Sequence, residues 1–214
     1  MRSGRVVPYV FFSVKRLWTS PQVWVAVLGA LWLSAATAGL WVLWQYDTTP
    51  GEAAHGPDQW PVSTTLARAS DRPTLIVLAH PHCTCTRASL GELAEAIARA
   101  RTPPRTYVLF MAPTGFGKGW AKTDLWEQAA AIPGVTVVGD ADGREAQHFG
   151  AETSGQTLLY DERGVLVFSG GITGARAHAG DNLGRQSLVA LLNHEPATTH
   201  GTSVFGCPLF HTGS

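Results

Sequence analysis

Two cysteines one residue apart, just behind a pair of histidines, are the residues best equipped for chemistry in this chain. They stand in Leu75-Ile-Val-Leu-Ala-His80-Pro81-His82-Cys83-Thr84-Cys85-Thr86-Arg87, where an apolar, strand-like run delivers them to the start of a helix. The free N–H groups and partial positive charge of a helix N-terminus stabilise a thiolate, and Arg87 adds a fixed cation one turn further in. Among 214 residues there are only three cysteines, the third being Cys207. Two of three placed in one Cys-x-Cys beside His80 and His82 point to redox or metal chemistry over packing. Cys83 is the expected nucleophile, because it stands nearest the helix N-terminus while Cys85 points into the first turn.

Cys207 lies in Val204-Phe-Gly-Cys-Pro-Leu-Phe210, an apolar patch in an otherwise polar tail. Such a patch wants a groove. Docked near the Cys-x-Cys, it supplies a third sulfur, as a resolving thiol in a redox site or a third ligand in a metal site; undocked, Cys207 is a packing residue. A disulfide inside Cys-x-Cys closes a tight ring whose strain favours reduction, so Cys207 is the less strained partner. The redox reading needs no cofactor. The alternative takes copper or zinc, with Cys83, Cys85, Cys207 and His82 as soft and imidazole ligands and His178 as a distal one.

The elements that position these residues follow from periodicity. Residues 74–79 form a continuous apolar run, expected as a strand buried on both faces. A helix over 86–100 carries the stripe Leu90, Leu93, Ala94 and Ile97, with Glu92, Glu95 and Arg99 toward water. Further strands are expected at 106–112, 135–139, 157–160 and 165–168, the last two joined by the turn Asp161-Glu-Arg-Gly164. Helices at about 122–132, 144–149 and 182–193 complete the order, the last with Leu183, Leu188, Leu191 and Leu192 as its apolar residues. Gly115-Phe-Gly-Lys-Gly119 lacks the hydroxyl residue of a phosphate-binding loop, and Asp140-Ala-Asp142-Gly143 lacks the closing Glu of a calcium loop, so both are read as turns. The glycine-rich stretch from Gly170 to Gly184, with Arg176 and His178, is either a loop against the site or a flexible connection.

Upstream, residues 17–46 contain no charged side chain, and residues 23–44 alone would span roughly 33 Å as a helix at ~1.5 Å per residue, enough to cross a bilayer. Trp18, Trp24, Trp41 and Trp44 sit near the ends, as in an aromatic belt. Arg2, Arg5, Lys15 and Arg16 precede the span while Asp47, Glu52 and Asp58 follow it, which places the N-terminus in the cytoplasm. A cleaved signal peptide is the rival, given Ala36-Thr37-Ala38, but the apolar run continues past that site through Leu40-Trp-Val-Leu-Trp44. Lys plus Arg and Asp plus Glu are balanced at 16 each, and no basic run follows the span, so nucleic acid binding has no support. The expected organisation is a cytoplasmic N-terminus (1–21), a transmembrane helix (22–46), a tether (47–72), an α/β domain (73–194) and a tail carrying Cys207 (195–214).

The order β-α-β-α-β-(α)-β-β-α, with cysteines between the first strand and its helix, resembles the thioredoxin fold over about residues 73–193. This implies a mixed sheet with helices on both faces. More narrowly, His80-Pro-His-Cys-Thr-Cys-Thr-Arg-Ala-Ser89, Phe168-Ser-Gly-Gly-Ile-Thr173 and Val204-Phe-Gly-Cys-Pro-Leu209 resemble the RedB-type family, membrane-anchored thioredoxin-like proteins of bacteria. The resemblance implies a membrane-anchored thioredoxin-like domain; with the Cys-x-Cys, the expectation is a thiol-disulfide oxidoreductase anchored in the bacterial inner membrane, facing the periplasm, with a thiol or disulfide protein as partner. Thioredoxin-like enzymes separate their cysteines by two residues; here Thr86 falls at the second position if Cys83 takes the first, or His82 at the first if Cys85 takes the second. Such enzymes also carry a cis-proline on the facing loop, where this chain reads Thr153-Ser-Gly-Gln156. Copper-delivery proteins of the Sco type share a membrane anchor, the fold and a cysteine pair, but with three residues between the cysteines.

The charge asymmetry sets a direct test. A fusion after Gly51 should be active with a reporter that works only outside the cytoplasm, and activity with a cytoplasm-only reporter there would reverse the orientation.

Overall fold

The computed structural model describes residues 21–52, 54–117 and 119–210, so Arg2, Arg5, Lys15, Arg16 and Trp18 lie outside the described residues, as does Lys118. Its first element, α1 (Pro21–Thr48), has 28 residues, none of them buried. It is long and apolar enough to cross a membrane, two residues longer at its C-terminal end than the expected span. Residues from Asp47 onward form a separate compact unit.

That unit runs β1 (Thr74–Ala79), α2 (Thr84–Arg99), β2 (Arg105–Ala112), α3 (Asp124–Ala130), β3 (Val135–Ala141), α4 (Arg144–His148), β4 (Gln156–Tyr160), β5 (Leu166–Gly171) and α5 (Leu183–Leu192). The strands lie in the order β3-β2-β1-β4-β5. β1 is parallel to β2 and β2 to β3, while β4 runs antiparallel to both β1 and β5. A parallel β-α-β-α-β half joined to an antiparallel hairpin, with the first strand central, is a thioredoxin-like fold.

The apolar run of β1 is continuous because both of its faces are covered. Leu75, Val77 and Ala79 face a core shared with Leu90 and Leu93 of α2, Leu125 of α3 and Leu188 of α5. Ile76 and Leu78 face a second core with Phe149, Leu158, Tyr160 and Leu209. This two-residue alternation under a continuous apolar sequence is what a doubly covered strand requires.

Residues 47–72 depart from the expected tether. Trp60 packs edge-on against Phe149 and Tyr160, with ring centroids 5.2 Å away in each case. Tyr160 Oη donates to the Pro57 carbonyl at 3.1 Å, and the Thr64 and Thr65 hydroxyls both donate to the Glu145 carboxylate. The segment lacks periodicity because it covers the second core as extended chain, contributing scattered aromatic anchors and no element of its own. The tail after α5 likewise packs on the domain, Leu209 being buried in the same core.

Glu92, expected to face water, is instead 3% exposed. It meets Arg185 of α5 at 2.6 Å, and also accepts from the Gly180 amide at 2.7 Å and Asn182 Nδ2 at 3.3 Å. Arg185 also bonds Asp181 at 2.6 Å. Helical spacing from Leu90 and Leu93 marked Glu92 as polar-faced; the counter-charge that lets it be buried arrives from a helix about ninety positions later. Leu183, expected in the apolar stripe of α5, is 57% exposed because it opens that helix beyond the packed face.

Removing one member of a buried, hydrogen-bonded ion pair strands the other charge. Glu92→Leu should therefore lower stability by about 3 kcal/mol or more in denaturant unfolding, while Glu95→Leu on the exposed side costs under about 1 kcal/mol.

Candidate active site

The first turn of α2 presents the sulfurs. Cys83 is the N-cap residue in extended conformation (φ −100°, ψ 123°), which assigns it the first of the two positions the sequence left open and puts Thr86 at the second. Its amide donates to the His80 carbonyl at 3.2 Å, closing the turn between strand and helix. Thr86 is buried, its hydroxyl donating to the His80 carbonyl at 3.0 Å and lying 2.9 Å from Ser154 Oγ. Ser154 Oγ in turn accepts from the His80 amide at 2.9 Å. A hydroxyl pair thus braces the loop where a second thiol and a facing proline were the expected pattern, and no cis peptide bond occurs among the described residues.

The tail brings the third sulfur to this turn. Residues 200–202 run beside β5, with Ser169 bridged in parallel to Gly201 and its amide donating to the His200 carbonyl at 3.0 Å. Gly170 and Gly171 permit that approach, since a Cβ on either would lie 2.5 Å from backbone atoms of Thr202 or Ser203. Farther on, the Ser154 amide donates to the Cys207 carbonyl at 2.9 Å and the Leu209 amide to the Glu152 carbonyl at 2.8 Å, making an antiparallel bridge of Thr153 with Pro208. The three segments behind the RedB-type resemblance therefore meet at one place.

All three cysteines are free, with Cys83 and Cys85 buried and Cys207 half-buried. Cys85 and Cys207 both act on the Cys83 thiol, whereas the N-cap side chain makes no capping bond and the Thr86 amide donates to the Cys83 carbonyl at 3.1 Å. The neighbouring Cys85 thiol is the largest influence and, helped by Cys207, it outweighs burial and brings the Cys83 pKa down to about 4. Cys85 moves up because its proton is committed to Cys83, although the Ala177 amide, on a residue with φ 53°, acts in the opposite direction. Burial, followed by the hydrogen bond to Cys83, pushes Cys207 up to about 12.

Arg87 lines one cavity with His82, Cys83 and Asp124. Its guanidinium is captured by Asp124 and also reaches Gln128 at 3.4 Å, on the exposed outer side of α2. The proximal imidazoles turn toward aromatic rings: His82 packs on Trp120 at 4.8 Å and His80 on the same ring at 5.5 Å, while the His82 amide donates to His80 Nδ1 at 3.2 Å. His178 is exposed in the loop whose Ala175 and His178 bridge each other. Among the described residues no group of three or more His, Cys, Asp or Glu is arranged to hold a metal ion.

Ser154, Arg176 and Ala177 belong to the site without having been singled out for it. Arg176 Nη1 donates to the Gly206 carbonyl at 2.6 Å and pins the residue before Cys207. The available signal was positional: Ser154 occupies the loop facing the cysteines, and Arg176 lies in the glycine-rich stretch considered as a possible site loop.

No protein-family profile and no curated protein matches this chain. A solved structure of a hypothetical protein from Sinorhizobium meliloti is similar at 16% identity and a TM-score of 0.56, covering 78% of this chain and 100% of that one. An uncharacterized conserved protein from Geobacillus kaustophilus is similar at 15% identity and a TM-score of 0.54, covering 78% of this chain and 95% of that one. MTB dsbF, solved in mixed oxidized and reduced forms, aligns at 15% identity and a TM-score of 0.43, covering 64% of this chain and 99% of that one. At these identities the likeness is one of fold.

The Cys83 thiolate should be visible by its ultraviolet absorbance down to about pH 4, disappearing as acid protonates it. In Cys85→Ala the largest stabilising donor is gone, so the midpoint should move upward toward the ordinary thiol range; an unmoved midpoint would show that Cys85 does not hold the charge.

Proposed function

We propose that this chain is a membrane-anchored, extracytoplasmic thiol-disulfide oxidoreductase in which Cys83 is the reacting sulfur and Cys207 its disulfide partner. The observation carrying the reading is the convergence of the cysteines: Cys83 caps α2 one residue before Cys85, and Ser154, whose hydroxyl braces that turn, holds the Cys207 carbonyl through its amide. Cys207 is favoured over Cys85 as partner because a Cys-x-Cys ring is tight, whereas Cys207 comes from a separate segment that pairs with the loop facing the cysteine turn. The resemblance to the RedB-type family and the single long apolar helix support a bacterial inner-membrane anchor with the domain in the periplasm. The partner is a thiol or disulfide protein of that compartment.

The stabilised thiolate gives the exchange a direction. A site whose reduced form is stabilised holds its disulfide less firmly, so the Cys83–Cys207 bond acts as an oxidant toward a partner dithiol. One partner thiolate attacks Cys83 Sγ, breaking the Cys83–Cys207 bond and releasing Cys207, which takes up a proton. The second partner thiolate attacks the partner sulfur of the mixed disulfide and expels Cys83 as thiolate, the better leaving group. The partner leaves with a disulfide, having given two electrons to the protein. His80 and Thr86, locked with Ser154, hold the turn on which Cys83 sits.

In the oxidised full-length protein, peptide mapping should find Cys83 bonded to Cys207, and Cys83→Ser should abolish oxidation of a reduced dithiol peptide. Cys207→Ser should slow it at least about tenfold. A mapped Cys83–Cys85 bond would transfer the partner role to Cys85. Stoichiometric copper or zinc on freshly reduced protein, lost in Cys83→Ser and accompanied by no exchange activity, would replace the redox reading with metal delivery.

A further inference from the structure

Cys85, Ser89 and Glu92 stand four and then three residues apart, so they share one face of α2, and all three are buried. The loop between β5 and α5, residues 172–182, is fastened to this face at its far end. There the Glu92 carboxylate accepts from the Gly180 amide and Asn182 Nδ2, beside its ion pair with Arg185. Asn182 also donates to the Gly180 carbonyl at 2.9 Å and caps α5 by accepting from the Arg185 amide at 2.8 Å. One buried carboxylate thus ties the loop to the helix that begins at the cysteines.

Nearer β5, the same loop holds the tail. Arg176 Nη1 donates to the Gly206 carbonyl at 2.6 Å, one residue before Cys207. The turn that presents Arg176 has Ala175 and His178 bridged to each other and Ala177 at φ 53°. An alanine in the left-handed region persists only where its surroundings over-determine it, and such residues gather at functional sites. Here the bonds to Glu92 and to Gly206 flank the strained turn. Resting on the redox reading of this site, we propose that Glu92 and Arg176 are positioning residues for the exchange: Glu92 fixes the loop, Arg176 fixes the tail through Gly206, and together they set how firmly the Cys83–Cys207 disulfide forms. An intramolecular disulfide is as strong as the effective concentration of one thiol at the other, and its Cα atoms must lie within roughly 7 Å. Releasing the clamp lets Cys207 sample a wider volume, which disfavours the bond and makes it a stronger oxidant.

The test equilibrates full-length protein in detergent with reduced and oxidised glutathione and scores the Cys83–Cys207 bond by peptide mapping. The glutathione disulfide takes two electrons and two protons from the two cysteines and leaves as two thiols, so the equilibrium constant is an effective concentration. Arg176→Gln should lower that constant about tenfold, or about 30 mV, because a charge-assisted bond to the tail is lost. Glu92→Gln should lower it about threefold, and should add nothing further in the Arg176→Gln background. A change that only weakened the fold would weaken oxidised and reduced protein alike and leave the constant in place. Should Glu92→Gln fail to fold, Asn182→Ser carries the comparison, since its hydroxyl still caps α5 while the amide donor to Glu92 is gone. An unmoved constant in folded Arg176→Gln overturns the positioning, and effects that add in the double variant overturn the route through the loop. Wild-type protein that forms no Cys83–Cys207 bond at any buffer ratio removes the oxidoreductase reading itself; a wild-type bond with unmoved variant constants removes the positioning alone.

Discussion

A sulfur held out of water at a helix N-cap takes its electrostatics from the groups beside it, and here those are chiefly two other thiols. Much of the domain's arrangement around the cysteines brings them together. Cys85 lies in the same helical turn, so its position is local. Cys207 comes from a tail more than a hundred residues away, which must be guided to the loop facing that turn and kept there. The guidance is backbone pairing, first along β5 and then along residues 152–154.

Glycines make this pairing sterically possible. Gly170 and Gly171 leave no side chain between β5 and residues 202–203, and Gly206 lets the tail sit against the Ser154 carbonyl. None of these three has a positive φ, so close approach accounts for them and backbone freedom does not. Ser154 then couples the two halves of the site: its hydroxyl braces His80 and Thr86 on the cysteine turn, while its amide holds the tail. Loss of the Ser154 hydroxyl alone would loosen the turn while leaving the amide bond to the tail in place.

Burial of the sulfurs has consequences for dynamics. Exchange with another protein has to reach a Cys83 that is 1% exposed. The second core ties this edge to the rest of the molecule, because Leu209 packs with Phe149 and Tyr160, on which Trp60 also rests. The chain just beyond the apolar helix takes part as well, through Gly51 and Val204. Motion of the tail is therefore coupled to the covering segment as well as to the cysteine turn.

By itself the sequence determined what local patterns can carry. The continuous apolar strands, the helical stripe of Leu90 and Leu93, the hairpin turn at 161–164, the uncharged 30-residue run and the reactive character of Cys-x-Cys are all written in short windows, because burial on both faces, helical periodicity and thiol pairing act at short separation. Only the tertiary structure decided which cysteine takes the N-cap, since His82 and Thr86 left two registers open. It also buried Glu92 against Arg185, captured Arg87 on Asp124 and turned the expected tether into a cover. Each of these depends on a partner far away in the chain, and a counter-charge or a backbone edge brought in from elsewhere leaves no trace in the window that it changes.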